Sequence, residues 1–115
     1  MNKNDILIVC AFERETVGQL DDWDVLYTGV GKVNATLKLT QRLHSSHLYY
    51  LPLMPKLVIN YGTAGSRELP VGELVDCTQF IQRDMDATQF GFLRGQTPFE
   101  ETDSIQWKIN NSLGF

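Results

Sequence analysis

Apolar residues along the chain fall into short runs separated by polar or glycine-containing segments. Residues Asp5–Phe12 form a near-continuous apolar run, which is typical of a parallel strand covered on both faces. Asp24–Tyr27 and Lys56–Ile59 have the length and the β-branched content of two further strands. Between them, residues 33–45 carry a helical apolar stripe at Val33, Leu37, Leu39 and Leu43. This alternation predicts an α/β domain with a mixed, largely parallel sheet and flanking helices.

The remaining segments give weaker predictions. Thr16–Leu20 could form a short helix, Leu74–Gln82 has the β-branched and aromatic content of a long strand, and Ser104–Asn111 is a predicted amphipathic helix. Leu48–Pro55 is apolar but contains two prolines, so we expect a loop that packs down or is covered by a partner.

Length, composition and charge narrow the class of protein. The chain has 115 residues, of which 43% are hydrophobic, and this suits one small domain spanning 1–115. The net charge is −4 and the basic residues are scattered, which argues against nucleic-acid binding. The N-terminus is polar and the apolar run after it is too short for a signal peptide or a membrane span. We therefore predict a cytoplasmic protein with no membrane partner.

Cysteine and histidine usage gives no strong sign of a disulfide or a metal. Cys10 and Cys77 each lie in an apolar, strand-like run, so we expect two small buried side chains rather than a bridge. His44 and His47 are three residues apart near a predicted helix end. No carboxylate or cysteine converges on them by spacing, so solvated side chains are expected and no metal site is predicted.

Two glycine-containing loops follow predicted strands. Asn60–Ser66 replaces an apolar run abruptly with small and hydroxyl residues, and glycine allows a ligand to approach the backbone closely. Open α/β sheets bind their ligands at this end of a strand, although an ordinary turn has the same composition. Thr28–Lys32 is the second loop, and it lacks the spacing of either a Walker or a dinucleotide motif.

Five segments in a fixed order carry a family resemblance. They are Ala11–Glu15, Thr28–Ala35, Ile59–Gly65, Val71–Val75 and Asp84–Phe92. They resemble the nucleoside phosphorylase/nucleosidase superfamily, and within it the methylthioadenosine/S-adenosylhomocysteine nucleosidases. The resemblance covers nearly the whole chain but only the first half of a typical member. It implies a phosphorylase/hydrolase-like fold present as its N-terminal part, and a single nucleosidase-like domain over 1–115.

The resemblance also implies roles for individual residues. Glu15 takes the position of the acidic group that holds the attacking water and helps to deprotonate it, and Thr63 replaces a serine near that water and the ribose. Further residues implied to line the nucleoside pocket are Phe12 and Val30 around the 5′ substituent, with Asn60, Gly62, Ala64 and Gly65 as the wall. Residues implied to reach into the neighbouring subunit's pocket of a homodimer are Phe90, Phe92 and Pro98.

The chemistry of these residue types favours hydrolysis over phosphorolysis. Cleavage of an N-glycosidic bond makes the sugar carbon cationic, so a carboxylate is needed to orient water and an acid to protonate the leaving base. Phosphorylases of the superfamily place an arginine where this chain has Asn60, and the carboxylate of Glu15 would repel phosphate. Arg14 and Arg67 could still supply a phosphate site. Near a strand end and under an apolar ligand, Glu15 is expected to have a pKa raised by desolvation.

Other functions stay open. The family's catalytic aspartate and its Met-Glu pair belong to the second half, which this chain does not match, and no cofactor is implied. The alternatives to a nucleosidase are a phosphate-dependent phosphorylase and a non-catalytic module that binds nucleoside or dimerises.

Overall fold

The structure is a computed structural model that describes residues 1–49, 54–100 and 106–108, with side chains described for 1–46 and 54–100. The chain divides into two compact units, Met1–Arg67 and Glu68–Phe115. Within the described residues, no helix is both long and apolar enough to cross a membrane.

A three-stranded parallel sheet organises the first unit. Its strands are β1 (Ile6–Cys10), β2 (Asp24–Tyr27) and β3 (Leu57–Asn60), in the order β2-β1-β3. Leu7 lies opposite Asp24 on one side and Val58 on the other. The three predicted strands and their parallel direction are thus confirmed.

The central strand supplies most of the buried core. Leu7 is 0% exposed and Cys10 1%, as expected for an apolar run between two neighbours. Val58 and Ile59 of β3 are instead 40% and 39% exposed. Burial within this chain therefore decreases from the centre of the sheet to β3.

The helix α1 (Lys32–Tyr49) follows β2 through the Thr28–Lys32 loop. Gly29 and Gly31 have φ of 80° and 96°, a conformation that glycine adopts without the steric cost of a Cβ. The Asn34 side chain donates a hydrogen bond to the Val30 carbonyl at 2.8 Å, which fixes the loop to the first turn of the helix. The predicted sequence of strand, glycine loop and helix is confirmed.

The packed face of α1 differs from the predicted apolar stripe. Val33 and Leu37 are 76% and 51% exposed. The less exposed positions at helical spacing are Ala35, Leu39, Leu43 and Ser46. The side chains at 35 and 46 on this face are small. The hydroxyl of Ser46 donates a hydrogen bond to the Arg42 carbonyl at 3.0 Å.

An ion pair joins this helix to the sheet. The Arg42 guanidinium donates to both oxygens of Asp24, with Nη1 to Oδ1 at 3.2 Å. The helix also includes Leu48 and Tyr49, so the predicted apolar loop is wrong for these two residues. The loop's positions 50–53 lie outside the described residues.

The segment after β1 turns more tightly than predicted. Glu13–Glu15 forms one 3₁₀ turn, and Thr16–Leu20 does not continue as a helix. Val17 and Gly18 have φ of 49° and 74°, and two left-handed residues in succession interrupt helical hydrogen bonding. The predicted short helix is therefore wrong.

The second unit contains an antiparallel pair of strands, β4 (Gln79–Ile81) and β5 (Gln106–Lys108). The predicted strand Leu74–Gln82 forms only over these three residues of β4, where it has a partner. Gln106–Lys108 is a strand rather than a helix, because pairing with β4 overrides its local helical pattern. The rest of the predicted helix Ser104–Asn111 lies outside the described residues. Cys77 is exposed, so its predicted burial is wrong.

Candidate functional site

The carboxyl ends of the three parallel strands lie side by side at one edge of the sheet. Backbone hydrogen bonds continue the pairing past the strands: Thr28 and Gly29 donate to Cys10 and Ala11 at 2.9 and 2.8 Å, and Tyr61 donates to Val9 at 2.9 Å. The loops after β1, β2 and β3 therefore start next to each other. Ligands bind at this edge in open α/β sheets.

Glu15 and Thr63 meet at this edge. The 3₁₀ turn places Glu15 with its amide donating to the Phe12 carbonyl at 3.1 Å, and its side chain extends toward the loop after β3. Oε1 of Glu15 accepts two hydrogen bonds from Thr63, from the hydroxyl at 2.7 Å and from the amide at 3.1 Å. Two residues that are 48 positions apart in sequence are thus joined by their side chains.

The second carboxylate oxygen lies between a thiol and a glycine. The Cys10 thiol donates to Oε2 of Glu15, with Sγ and Oε2 3.1 Å apart. A Cβ built on Gly62 would lie 3.2 Å from the same oxygen. Glycine at position 62 therefore leaves room for the carboxylate, without any need for a left-handed backbone there.

These contacts lower the pKa of Glu15 to about 2. The largest cause is the hydrogen bond from the Thr63 hydroxyl, followed by those from the Cys10 thiol and the Thr63 amide, while burial acts weakly in the opposite direction. Donors to the charged form favour ionisation. The predicted rise in the pKa is wrong, because the carboxylate is hydrogen-bonded and its burial is slight.

Cys10 is the residue of this cluster that the sequence argument missed. Burial raises the pKa of its thiol, and the hydrogen bond and the negative charge of Glu15 raise it further. The thiol is therefore protonated at neutral pH and available as a donor. The signal in the sequence was a side chain able to donate a hydrogen bond within an apolar run, five residues before Glu15.

The other residues implied for the nucleoside pocket are exposed on the first unit. Phe12 is 42% exposed and follows β1, and Val30 is 69% exposed in the loop after β2. Asn60, the last residue of β3, is also exposed. Three residues of the loop after β3 are exposed as well, namely Gly62, Ala64 and Gly65. Their place at or beside the same three strand ends makes them available to a ligand, and their binding roles stay predictions.

The residues implied for a partner subunit belong to the second unit. Phe90 is 73% exposed at the end of a 3₁₀ turn. Phe92 packs edge-to-face on Phe99, with ring centroids 5.4 Å apart, and Pro98 is half-buried. Phe92 thus contacts another aromatic ring of the second unit, whereas the ring of Phe90 lies in solvent. Their role in a dimer stays a prediction.

A shallow depression elsewhere on the first unit does not include the Glu15–Thr63 pair. It is lined by Thr16, Val17, Tyr27 and their neighbours, and the Thr16 and Tyr27 hydroxyls lie 2.9 Å apart in it. Its lining does not include Glu15 or the Asn60–Ser66 loop, so we place the candidate site at the strand ends. In the described part of the chain, no three His, Cys, Asp or Glu side chains are grouped to hold a metal.

Comparison with known proteins finds relatives that carry the same name. A nucleosidase from Marinomonas sp. (strain MWYL1), named as acting on 5′-methylthioadenosine and S-adenosylhomocysteine, is 41% identical over 86 residues. That alignment covers 71% of this chain and 34% of the relative. Nucleosidases of the same name from Staphylococcus haemolyticus (strain JCSC1435) and Geobacillus thermodenitrificans (strain NG80-2) are 36% and 34% identical. These alignments cover 70% and 85% of this chain, and 34% and 40% of the relatives.

The chain spans about a third of the length of the curated relatives it matches. No solved structure matches it. The family model described as the phosphorylase superfamily matches residues 9–108, a range that includes the end of β1, Glu15 and the Thr63 loop. The chain belongs to the phosphorylase superfamily.

Proposed function

We propose that this chain forms the water-side wall of a nucleosidase that hydrolyses the N-glycosidic bond of a purine nucleoside, such as methylthioadenosine or S-adenosylhomocysteine. The observation that carries the proposal is the Glu15 carboxylate, held by Thr63 at the carboxyl edge of the sheet. The names of the relatives support the reaction and the substrate class. Residues 1–115 then form the N-terminal part of one nucleosidase-like domain, in the cytoplasm.

Glu15 acts on the attacking water in this proposal. Its lowered pKa keeps it ionised at neutral pH, so it accepts a hydrogen bond from water and stabilises positive charge on the sugar carbon. A carboxylate with this pKa is a weak base. The water therefore loses its proton late, after its bond to the cationic carbon has begun to form and has made it acidic.

The bonds and protons balance as follows. The water oxygen forms a bond to the sugar carbon, the carbon–nitrogen bond to the base breaks, and its electron pair leaves with the base. The water gives its proton to the Glu15 carboxylate, which then releases it to solvent. The base takes up a proton from an acid that the family resemblance assigns to the second half of the domain. Thr63 holds Glu15 and faces the ribose, and Phe12 and Val30 contact the 5′ substituent.

The state of Glu15 favours hydrolysis over the alternative, phosphorolysis. An ionised carboxylate repels a phosphate dianion at the same place, and the neutral Asn60 offers phosphate no compensating charge. Phosphate-dependent cleavage by a phosphorylase is the second candidate, with Arg14 or Arg67 as phosphate ligands. Phe90, Phe92 and Pro98 would contribute to a neighbouring subunit's pocket in either case, so we propose a homodimer.

The test is release of adenine from methylthioadenosine by the full-length protein, with and without phosphate. We expect release that does not depend on phosphate, and a loss of kcat of about 10²- to 10⁴-fold in Glu15→Gln. The matched control is Glu13→Gln, an exposed acidic residue in the same 3₁₀ turn, which should keep its activity. Release only with phosphate would instead support the phosphorylase, and binding of nucleoside without release would support the non-catalytic module.

A further inference from the structure

The Glu15 carboxylate is held unevenly by Thr63. Both hydrogen bonds from Thr63 end on Oε1, and the terminal torsion of a glutamate side chain is intrinsically broad. With only Oε1 held, Oε2 could swing and the carboxylate plane could tilt. A carboxylate that orients water needs a fixed plane, because a displacement of about 1 Å can cost about 10²-fold in rate.

The Cys10 thiol is placed to fix the second oxygen. Sγ lies 3.1 Å from Oε2 of Glu15 and 3.7 Å from the Phe12 carbonyl oxygen. A thiol has one proton to donate, and the nearer, charged oxygen is the stronger acceptor. Cys10 is 1% exposed on the central strand, so its sulfur is held by packing and cannot follow a moving carboxylate.

The groups around the carboxylate come from β1, from the residue after it and from the loop after β3. Cys10 is the titratable group that faces it from β1, and Thr63 and Gly62 face it from the loop. The backbone of Ala11, next after β1, also stabilises the charged form by a hydrogen bond. The thiol and the hydroxyl are neutral donors. Hydrogen bonds to both oxygens, rather than an ion pair, therefore determine the orientation of the carboxylate.

We propose that Cys10 is a positioning residue of the hydrolytic site. Its thiol donates to Oε2 of Glu15 and locks the carboxylate plane while Thr63 holds Oε1. The proposal rests on the proposed function for its kinetic consequence, but the contact itself can be tested without any activity. A thiol suits the position because it is small enough for the core and has one proton to donate to the carboxylate.

The kinetic test uses three substitutions at Cys10 in the full-length protein. Cys10→Ala removes the donor, Cys10→Val removes the donor and keeps an apolar side chain in the core, and Cys10→Ser keeps a donor. We expect kcat for adenine release to fall about fivefold in the first two variants, with KM unchanged, because one hydrogen bond to a charged group is lost. Cys10→Ser should stay within about twofold of wild type. Cys77→Ser, at the exposed cysteine, is the control.

The spectroscopic test follows the S–H stretching band of Cys10 in the infrared. Cys10→Ser identifies the band by removing it. In Glu15→Gln the band should move to higher frequency, because the thiol then donates to a neutral amide or to no acceptor in place of a carboxylate. Cys77→Ser should leave the band in place.

The two tests separate failure of this inference from failure of the proposed function. A band that moves in Glu15→Gln supports the contact even in a protein that releases no adenine, and that result would count against the nucleosidase alone. A band that does not move overturns the inference even in an active enzyme. An active enzyme in which Cys10→Val and Cys10→Ala both keep the wild-type kcat also overturns it, and if Cys10→Ala does not fold, the valine variant decides.

Discussion

β1 and β3 lie side by side and run in the same direction, but their packing differs. Leu7 of β1 is 0% exposed, whereas its register partner Val58 of β3 is 40% exposed. Glu15 follows the buried strand and Thr63 follows the exposed one. One wall of the candidate site is therefore held by hydrophobic packing, and the other is held mainly by hydrogen bonds to the sheet and to Glu15.

This difference assigns two roles to the contact between Glu15 and Thr63. It orients the carboxylate, and it ties the loop after β3 to the better packed part of the sheet. An exposed apolar edge strand is also a template for pairing with further chain. We therefore expect truncation of the β1 core residue Leu7 to act through the fold, and substitutions after β3 to act through the site.

The largest effect should be the difference in stability between truncation of Leu7 and truncation of its register partner Val58. Leu7→Ala leaves a cavity in the core and should lower the free energy of unfolding by about 3 kcal/mol. Val58→Ala removes a side chain that is largely in solvent already and should cost less than about 1 kcal/mol. Urea denaturation of both variants measures the difference. Equal losses would mean that β3 is buried as deeply as β1 in the folded protein.

The second effect is a loss of activity that distinguishes the role of the Thr63 hydroxyl from the role of the volume of its side chain. Thr63→Val keeps the volume and the amide but removes the donor to Oε1 of Glu15, so the pKa of Glu15 should rise from about 2. The full-length enzyme should lose about tenfold in kcat/KM, the effect of one hydrogen bond to a charged group. Thr63→Ser restores the donor and should recover most of the activity. A loss in Thr63→Ser with activity kept in Thr63→Val would show that the methyl group, not the hydroxyl, matters.

The sequence predicted the first unit better than the second, for a physical reason. β1 and β2 have patterns that agree with the neighbours they find in the sheet, and the glycines at 29 and 31 mark the loop correctly. Leu74–Gln82 and Gln106–Lys108 instead take their structure from the partner each strand finds, which no local pattern records. Within the site, Glu15 and Thr63 were found through the family resemblance. The pKa of Glu15 was predicted in the wrong direction, because no pattern in the sequence shows which donors reach the carboxylate.

The third effect is the pH dependence of stability, and it should be smaller because Glu15 is partly exposed and screened by solvent. Folding lowers the pKa of Glu15 from 4.5 to about 2. Its contribution to stability is therefore present above pH 4.5 and is lost as the pH falls from there toward 2. Urea denaturation of wild type and Glu15→Gln at pH 5, 4 and 3 (about one unit apart across this window) should show the two proteins converging. Asp5, Asp22 and Asp86 also have lowered pKa values, but they are common to both proteins and cancel in the difference.

The same pKa also makes a kinetic prediction. Because Glu15 stays ionised well below neutral pH, the kcat/KM of the full-length enzyme should show no loss from its protonation between about pH 8 and 5. A loss in that range whose midpoint pH moves in Glu15→Asp but stays in place in Thr63→Ser would contradict the lowered pKa.

The smallest effect tests the space that Gly62 leaves for the carboxylate. In Gly62→Ala the new Cβ would lie 3.2 Å from Oε2 and 3.4 Å from Oε1 of Glu15, so the carboxylate must shift by a few tenths of an ångström. Gly65→Ala is the matched control, because its Cβ meets nothing within 4 Å and neither glycine has a left-handed backbone. The ¹³C chemical shift of the Glu15 carboxyl, in protein labelled at glutamate, should change in the first variant and stay the same in the second. Equal changes would place the response in the loop after β3 as a whole. A change confined to Gly62→Ala would show that the weakly packed wall is held close enough to Glu15 for one methyl group to displace its carboxylate.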